Sequence, residues 1–333
     1  MYDVARLAGV SQSTVSRVLS SDASSTLVGE GTRRKIFDAI QQLSYRPNWT
    51  ARSLRSQQTK LIAVLIADIS NSFYHPIVRT VQDVAGIHGY DVLIANSDHE
   101  YEKEKHFCEA ILRRPVDGVI MIPYHLSTSE IDQLITLTGA HIVIIGDHIQ
   151  HPLVDYVWAD DEKATFEGVS WLITERGHRR IGFIGVPEDM PPGPRRWHGF
   201  RRAMETAGLA IEPELISFSG DFTLEGGQRA LEELLTSAKP PFAVFACNDL
   251  MAIGAIAQAK KLGYAIPRDI AVLGFDDIRE AELIAPALTT IAQRPKEIGK
   301  KLTDLLFDRI ENRTTGSARN LQVDYELIIR ESA

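Results

Sequence analysis

Near the start of the chain, Gln12, Ser13, Thr14, Ser16 and Arg17 occupy the polar side of a short segment whose apolar positions are Val15, Val18 and Leu19. Arginine can pair with O6 and N7 of guanine, and glutamine with N6 and N7 of adenine. The chemistry on offer is the reading of base edges in a major groove. The hydroxyls beside them suit phosphate oxygens, which fix register and carry little sequence information. Arg17 is the strongest single candidate for a base contact, and a phosphate contact is its plainer alternative. Leu54 is an apolar side chain in a polar, basic stretch. A wedge of that kind can enter a minor-groove step and kink the duplex; packing on the body of the protein is the alternative. A second group comprises Asp68, Phe73, Tyr74, Asp160, Arg196, Phe222, Asn248 and Asp276. Carboxylates, an amide and an arginine around aromatic faces suit a ligand with many hydroxyls, such as a sugar or sugar derivative. Plainer roles exist here too. Asp276 could cap a helix, Asn248 could shape a turn, and Phe73 and Phe222 could be core. Trp158 and Trp197 could line such a pocket or fill it from behind.

The elements that must position these side chains are legible in the apolar periodicity. Asp3 to Leu7 predicts a short helix, with Val4, Leu7 and Ala8 at spacings of three and four. Gly9 ends it, and Ser11 caps a second helix over about 12–19. Two helices around a tight glycine turn form a helix-turn-helix unit. Farther on, the apolar runs Leu61–Ala67, Asp91–Ala95, Val116–Ile122 and His141–Gly146 predict one set of buried strands. Arg180–Gly185, Leu215–Ser219, Phe242–Ala246 and Ile270–Phe275 predict another. Amphipathic stretches lie between them, so the expected body is two parallel, doubly wound sheets covered on both faces. The second residue group falls at strand-end loops, where ligands of such sheets bind.

Bulk composition narrows the function. The 333 residues carry a net charge of −8, but residues 1–60 hold nine Lys or Arg against four acids, leaving thirteen negative charges net on the rest. A basic head on an acidic body can still attract phosphate, because salt confines each field to about 8–10 Å. No run of about eighteen apolar residues predicts a membrane helix, and the start lacks the basic-then-apolar pattern of a secretion signal, so a cytoplasmic location is expected. Cys108 and Cys247 have no metal or redox spacing, so neither metal nor cofactor is expected. No G-x-G-x-x-G after a strand, P-loop or G-x-S-x-G elbow occurs, which argues against an enzyme.

The segment Asp3-Val4-Ala5-Arg6-Leu7-Ala8-Gly9-Val10-Ser11, followed by Thr14-Val15-Ser16-Arg17-Val18-Leu19, resembles the headpiece signature of the LacI/GalR repressor family. Tyr45-Arg46-Pro47-Asn48-Trp49-Thr50-Ala51-Arg52-Ser53-Leu54 resembles its hinge. Glu175-Arg176-Gly177-His178-Arg179-Arg180, Cys247-Asn248-Asp249 and Gly274-Phe275-Asp276-Asp277 stand where the family has its body motifs. The resemblance implies an all-α helix-turn-helix headpiece (1–46) with a third helix over Thr32–Leu43, carrying Ile36, Phe37, Ile40 and Leu43. A hinge follows (47–60), then a two-lobed, periplasmic-binding-protein-like domain (61–333). Lobe one would span about 61–160 and 292–320, and lobe two 161–291 and 321–333, with crossings near 160, 291 and 321. The strand pair Asn320–Ile329 would return to lobe two. By the same resemblance Gln12, Ser13 and Arg17 read bases, and the hinge residues Asn48, Ala51, Leu54 and Arg55 meet DNA. Arg196, Asn248 and Asp276 contact an effector. So short a hinge helix is unstable alone and is expected to fold on DNA. The implied partners are a pseudo-palindromic operator, a small-molecule effector and a second copy of the chain. No leucine heptad follows the last strand, so a homodimer is expected rather than a coiled-coil tetramer.

Overall fold

The computed structural model describes residues 1–19, 28–45 and 58–333. It divides into two compact units, Met1–Thr59 and Lys60–Ala333. The hinge positions Asn48, Ala51, Leu54 and Arg55 lie outside the described residues.

In the first unit α1 (Tyr2–Ala8) ends on Gly9, whose φ of 67° is the left-handed value that glycine adopts without steric cost. The Ser11 hydroxyl then accepts the Thr14 amide at 3.1 Å at the start of α2 (Gln12–Leu19). A third helix, α3 (Glu30–Gln42), closes a small core of Val4, Ala5, Ala8, Val15, Val18, Ile36 and Ala39. Leu7, Phe37 and Leu43 were expected in the apolar stripes, but each is more than 40% exposed. A helix this small buries one narrow face, and Val4–Ala8 and Ile36–Ala39 already fill it.

The second unit holds two six-stranded sheets. The first contains β1 (Leu61–Ile66), β2 (Asp91–Asn96), β3 (Gly118–Met121), β4 (His141–Ile145), β5 (Asp155–Ala159) and β11 (Asn320–Val323). Its order is β11-β5-β4-β3-β1-β2, with every pairing parallel. The second contains β6 (Ile181–Ile184), β7 (Ile216–Ser217), β8 (Phe242–Ala246), β9 (Ile270–Asp276), β10 (Thr289–Ala292) and β12 (Glu326–Ile328), in the order β12-β10-β9-β8-β6-β7. There only β12 runs antiparallel, against β10. Helices α4 (Tyr74–Ile87), α5 (Tyr101–Arg113), α6 (Thr128–Thr138) and α12 (Pro295–Ile310) belong to the first sheet. Helices α7 (Asp161–Thr174), α8 (Gly193–Thr206), α9 (Leu224–Ser237), α10 (Asp249–Lys261) and the short α11 (Arg279–Leu283) belong to the second. Strands such as Leu61–Ile66, apolar at every position, fit burial on both faces. Helices α9 and α10 approach so closely that a Cβ on Gly227 would lie 2.1 Å from the Met251 carbonyl oxygen, and one on Gly254 2.0 Å from that of Leu224.

The chain passes between the sheets after Ala159, after Ala292 and after Val323. The expected pair at 320–329 is corrected. Asn320–Val323 pairs with β5 in the first sheet, and only Glu326–Ile328 reaches the second. Two strands escaped the sequence reading, β5 and β10. Each opens on polar residues that become buried: Asp155, and Thr289 with Thr290. Among the described residues no helix is long and apolar enough to cross a membrane.

Candidate functional site

The two sheets face each other across a cleft whose empty space, open mouth included, is about 780 Å³. Its lining comes from the carboxyl ends of the parallel strands, the site that strand polarity favours for ligands. From the first sheet come Phe73 and Tyr74 after β1, His99 after β2, Tyr124 after β3, His148 after β4 and Trp158 within β5. Asp161, Arg195, Arg196, Phe222, Asn248, Asp276 and Gln293 follow from the connections and strand ends of the second.

The floor is a chain of charges. Prolines 192 and 194 open α8, and Arg196 lies in its first turn, 3% exposed. Its Nε and Nη2 donate to Asp161 Oδ1 at 3.2 and 3.0 Å, Nη1 donates to the Cys247 carbonyl, and the guanidinium sits 3.7 Å from the Phe275 ring centroid. Arg195 takes the other oxygen, Asp161 Oδ2, at 2.8 Å, and reaches Asp147 of the first lobe at 3.1 Å. Asp276 ends β9 with φ 119° and accepts from Gln293 Nε2 at 2.7 Å, while Arg196 lies 3.8 Å away. Burial pushes the Asp276 carboxyl up, Arg196 and Gln293 hold it back, and the net pKa is about 7. Burial also keeps His99 and His148 below the usual imidazole range, so both are neutral at pH 7. Neighbouring Asp249, buried and close to Asp276, is held well above the carboxylate range. It accepts from the Thr290 hydroxyl and the Ile278 amide.

The walls are aromatic. Phe73 and Tyr74 meet edge to face at 5.2 Å, and the His99 ring packs on Tyr124 at 4.6 Å and reaches Phe222 of the opposite lobe at 5.5 Å. Phe222 holds φ 63°, a left-handed conformation that costs energy in a residue with a Cβ. Asn248 Nδ2 donates to its carbonyl at 2.9 Å and so secures it. Behind the Tyr124 loop, the buried Glu104 accepts the amides of Tyr124, His125 and Leu126 at 2.6–3.0 Å. Besides the His99–Phe222 ring contact, polar contacts also join the lobes: Ser72 Oγ donates to Glu280 at 2.6 Å, and Arg195 pairs with Asp147.

Of the residues singled out from the sequence, Phe73, Tyr74, Arg196, Phe222, Asn248 and Asp276 are brought together here. Asn248 also caps α10, accepting the Met251 amide at 2.9 Å. Asp160 is a correction. Its side chain caps α7 by accepting the Lys163 amide, and the next residue, Asp161, enters the cleft instead. Asp68 is also outside the inner cleft. It accepts from the Ser70 amide and hydroxyl and lines an outer vestibule with Asp98, His99 and Asp221. Trp158 lines the cleft, whereas Trp197 packs behind it against Phe183, Phe200 and Phe218. His99, Tyr124, His148, Asp161, Arg195 and Gln293 escaped the sequence reading, although each lies within four residues of a strand's carboxyl end or a helix start. In the first unit Gln12, Ser13 and Arg17 are exposed on α2, with Thr14 and Ser16 half-buried. Among the described residues no cluster of His, Cys, Asp and Glu is arranged to hold a metal.

Comparison with known proteins bears on both units. Residues 1–48 match the model for bacterial regulatory proteins of the lacI family, and residues 172–333 match that for a periplasmic binding protein-like domain. The chain is 36% identical to the HTH-type transcriptional repressor CytR of Escherichia coli (strain K12), covering 100% of this chain and 95% of the relative. It is 33% identical to catabolite control protein A of Priestia megaterium, covering 100% and 98%. Among solved structures, the transcriptional regulator CelR–cellobiose complex superposes with a TM-score of 0.74 at 31% identity, covering 99% of this chain and 98% of that one. The lac repressor dimer bound to operator and the anti-inducer ONPF superposes with a TM-score of 0.82 at 26% identity, with the same coverage. A helix-turn-helix unit and a two-sheet cleft domain, in one chain matched end to end by such relatives, place it in the LacI family: it is a DNA-binding transcriptional regulator and not an enzyme.

Proposed function

We propose that this regulator is a homodimeric repressor whose operator affinity is set by a small molecule, a sugar or sugar derivative, bound between the two lobes. The observation that carries the reading is the cleft: aromatic walls around Arg196, Asn248, Asp276 and Gln293, at the carboxyl ends of both sheets. The relative solved with cellobiose supports a carbohydrate occupant. A ligand changes DNA affinity only by binding two lobe arrangements unequally. The Ser72–Glu280 and Asp147–Arg195 contacts would be made or broken as the lobes move. The hinge, including Asn48, Ala51, Leu54 and Arg55, would fold on DNA in one arrangement and not in the other. A thermal-shift screen against sugars, sugar phosphates and nucleosides, followed by operator titration with each hit, tests this. A hit that raises the melting temperature and leaves operator affinity unchanged refutes ligand control.

At the operator, Gln12, Ser13 and Arg17 would meet base edges, and Thr14 and Ser16 phosphates. Arg17→Ala is expected to relax selection at one base pair, costing about 1–3 kcal/mol on the cognate site. Binding measured on single-base operator variants checks this; an equal loss on every sequence would make Arg17 a phosphate contact.

A single headpiece reads too few base pairs, so a second copy is needed. The surface suited to it is the open edge at β2, where Leu93 and Ile94 are 45% and 38% exposed and Ile87 of α4 is 83% exposed. Ile87→Glu with Leu93→Glu should yield a monomer in sedimentation velocity and weaken operator binding. A double variant that stays dimeric would exclude this face.

A further inference from the structure

Charge is already balanced in the cleft before any ligand enters. Its two cations are spoken for: Asp161 receives both arginines, one on each oxygen, Arg195 also reaches Asp147, and Asp276 stands 3.8 Å from Arg196. Two guanidinium groups thus face three carboxyl groups, of which Asp276 is about half ionised at pH 7. The imidazoles add no positive charge, since burial keeps His99 and His148 neutral, and His148 Nε2 is engaged with the Pro123 carbonyl at 2.6 Å.

The usual alternative anchor for an anion, the free amides of a helix start, is reduced near the arginines, each cap taking one amide. Asn248 caps α10 and Asp160 caps α7. Helix α8 opens through Pro191, Pro192 and Pro194, which have no amide hydrogen.

The adjoining vestibule is charge-paired as well. The vestibule that shares Asn71, His99 and Phe222 with the cleft is lined by Asp68, Asp98 and Asp221. Lys103 pairs with Asp98 at 2.5 Å and Arg229 with Asp221 at 2.7 Å. Asp68 accepts from Ser70.

We infer that the cleft selects uncharged effectors and rejects the phosphorylated or carboxylated forms of the same molecules, because Asp147, Asp161 and Asp276 neutralise Arg195 and Arg196 in advance. This rests on the reading that the cleft is the effector site, and it names the ligand's charge class. A phosphate dianion would have to displace a carboxylate from a buried arginine or stand beside one uncompensated. In a partly buried site that repulsion lowers affinity steeply. Neutral hydroxyl or amide groups can instead bond the open oxygens of Asp276 and Gln293 without disturbing the charge chain.

The test has two arms. In the first, intact protein is screened by thermal shift against matched pairs: pentoses and hexoses with their phosphate esters, and nucleosides with their 5′-monophosphates. Binding is expected in the unphosphorylated members, each ester being weaker by about tenfold or more. An ester that binds as tightly as its parent overturns the inference. The second arm needs no knowledge of the effector and uses inorganic phosphate against chloride at matched ionic strength. The wild-type protein should gain no thermal stability from phosphate, whereas Asp147→Asn/Asp276→Asn, with both arginines partly released, should gain it. Equal behaviour of the two proteins overturns the inference. If the double variant does not fold, Asp147→Asn alone serves, since that side chain is 30% exposed. If no pair member binds but phosphate still separates variant from wild type, the effector reading fails and the charge argument stands.

Discussion

Arg196→Ala is expected to destabilise the protein by about 3–5 kcal/mol, because it removes the arginine beside buried Asp276 and one of the two on buried Asp161. The Arg196 side chain is 4% exposed, Asp161 6% and Asp276 7%. Burial alone would lower the pKa of the guanidinium, but Asp161 and Asp276 more than compensate and raise it, so the group is charged at every accessible pH. Lysine is not expected to rescue the loss. A point charge cannot bond Asp161 through two nitrogens, meet the Cys247 carbonyl and stack on Phe275 together. Urea unfolding followed by circular dichroism measures the effect. A loss under about 1 kcal/mol would mean that Arg195 satisfies Asp161 alone, and that Arg196 behaves energetically like a surface pair.

Asp155→Asn should produce a loss of similar size, with a characteristic dependence on pH. Asp155 starts β5 with no exposed side-chain surface, and it accepts from Arg309 at 3.0 and 2.7 Å and from Arg319 at 3.2 and 2.7 Å. It also takes the Arg319 amide at 2.8 Å, which locks β11 beside β5. Removing its charge strands two arginines and should cost about 3–5 kcal/mol at neutral pH. Arg309 keeps the Gly316 and Ser317 carbonyls and Arg319 keeps Asp308, which favours the lower end. Burial pulls the Asp155 pKa up, but the arginine hydrogen bonds more than offset it and hold it below the usual carboxylate value. In the unfolded chain an aspartate titrates near about 3.9. A folded pKa below that value means that stabilisation is fully present above about pH 4 and is lost as the pH falls through the folded pKa. The gap between wild type and Asp155→Asn should therefore be widest at neutral pH and close in acid. A gap that stayed constant down to the acid limit would show that Asp155 acts through shape and not through charge.

Local rules made much of the molecule legible. Gly9 and Ser11 punctuate the helix-turn-helix because a left-handed turn and an N-cap are satisfied within three residues. Runs such as Phe242–Ala246 announce buried parallel strands because every position faces apolar surroundings. The same rules hid β5 and β10. Asp155 is tolerated inside only because Arg309, 154 positions away, bonds it. Thr290 is tolerated because its hydroxyl reaches Asp249, and the Thr289 amide reaches the Ser332 hydroxyl.

The site divides along the same line. Arg196, Asn248 and Asp276 could be named from motifs, whereas the choice of Asp161 over Asp160 could not. Both are acids at a helix start, and only the path of the chain between the sheets decides which one caps α7 and which meets Arg195 and Arg196. His99, Tyr124 and Gln293 become neighbours of those residues because strand order, not sequence order, sets which strand ends converge. Amino-acid order alone thus determined the headpiece helices, most strands, the basic head and the family, which follow from local pattern and composition. The charge-matched cleft, its aromatic walls and the contacts between lobes were decided only by tertiary structure, because each joins groups brought together by strand order and the three passages between sheets.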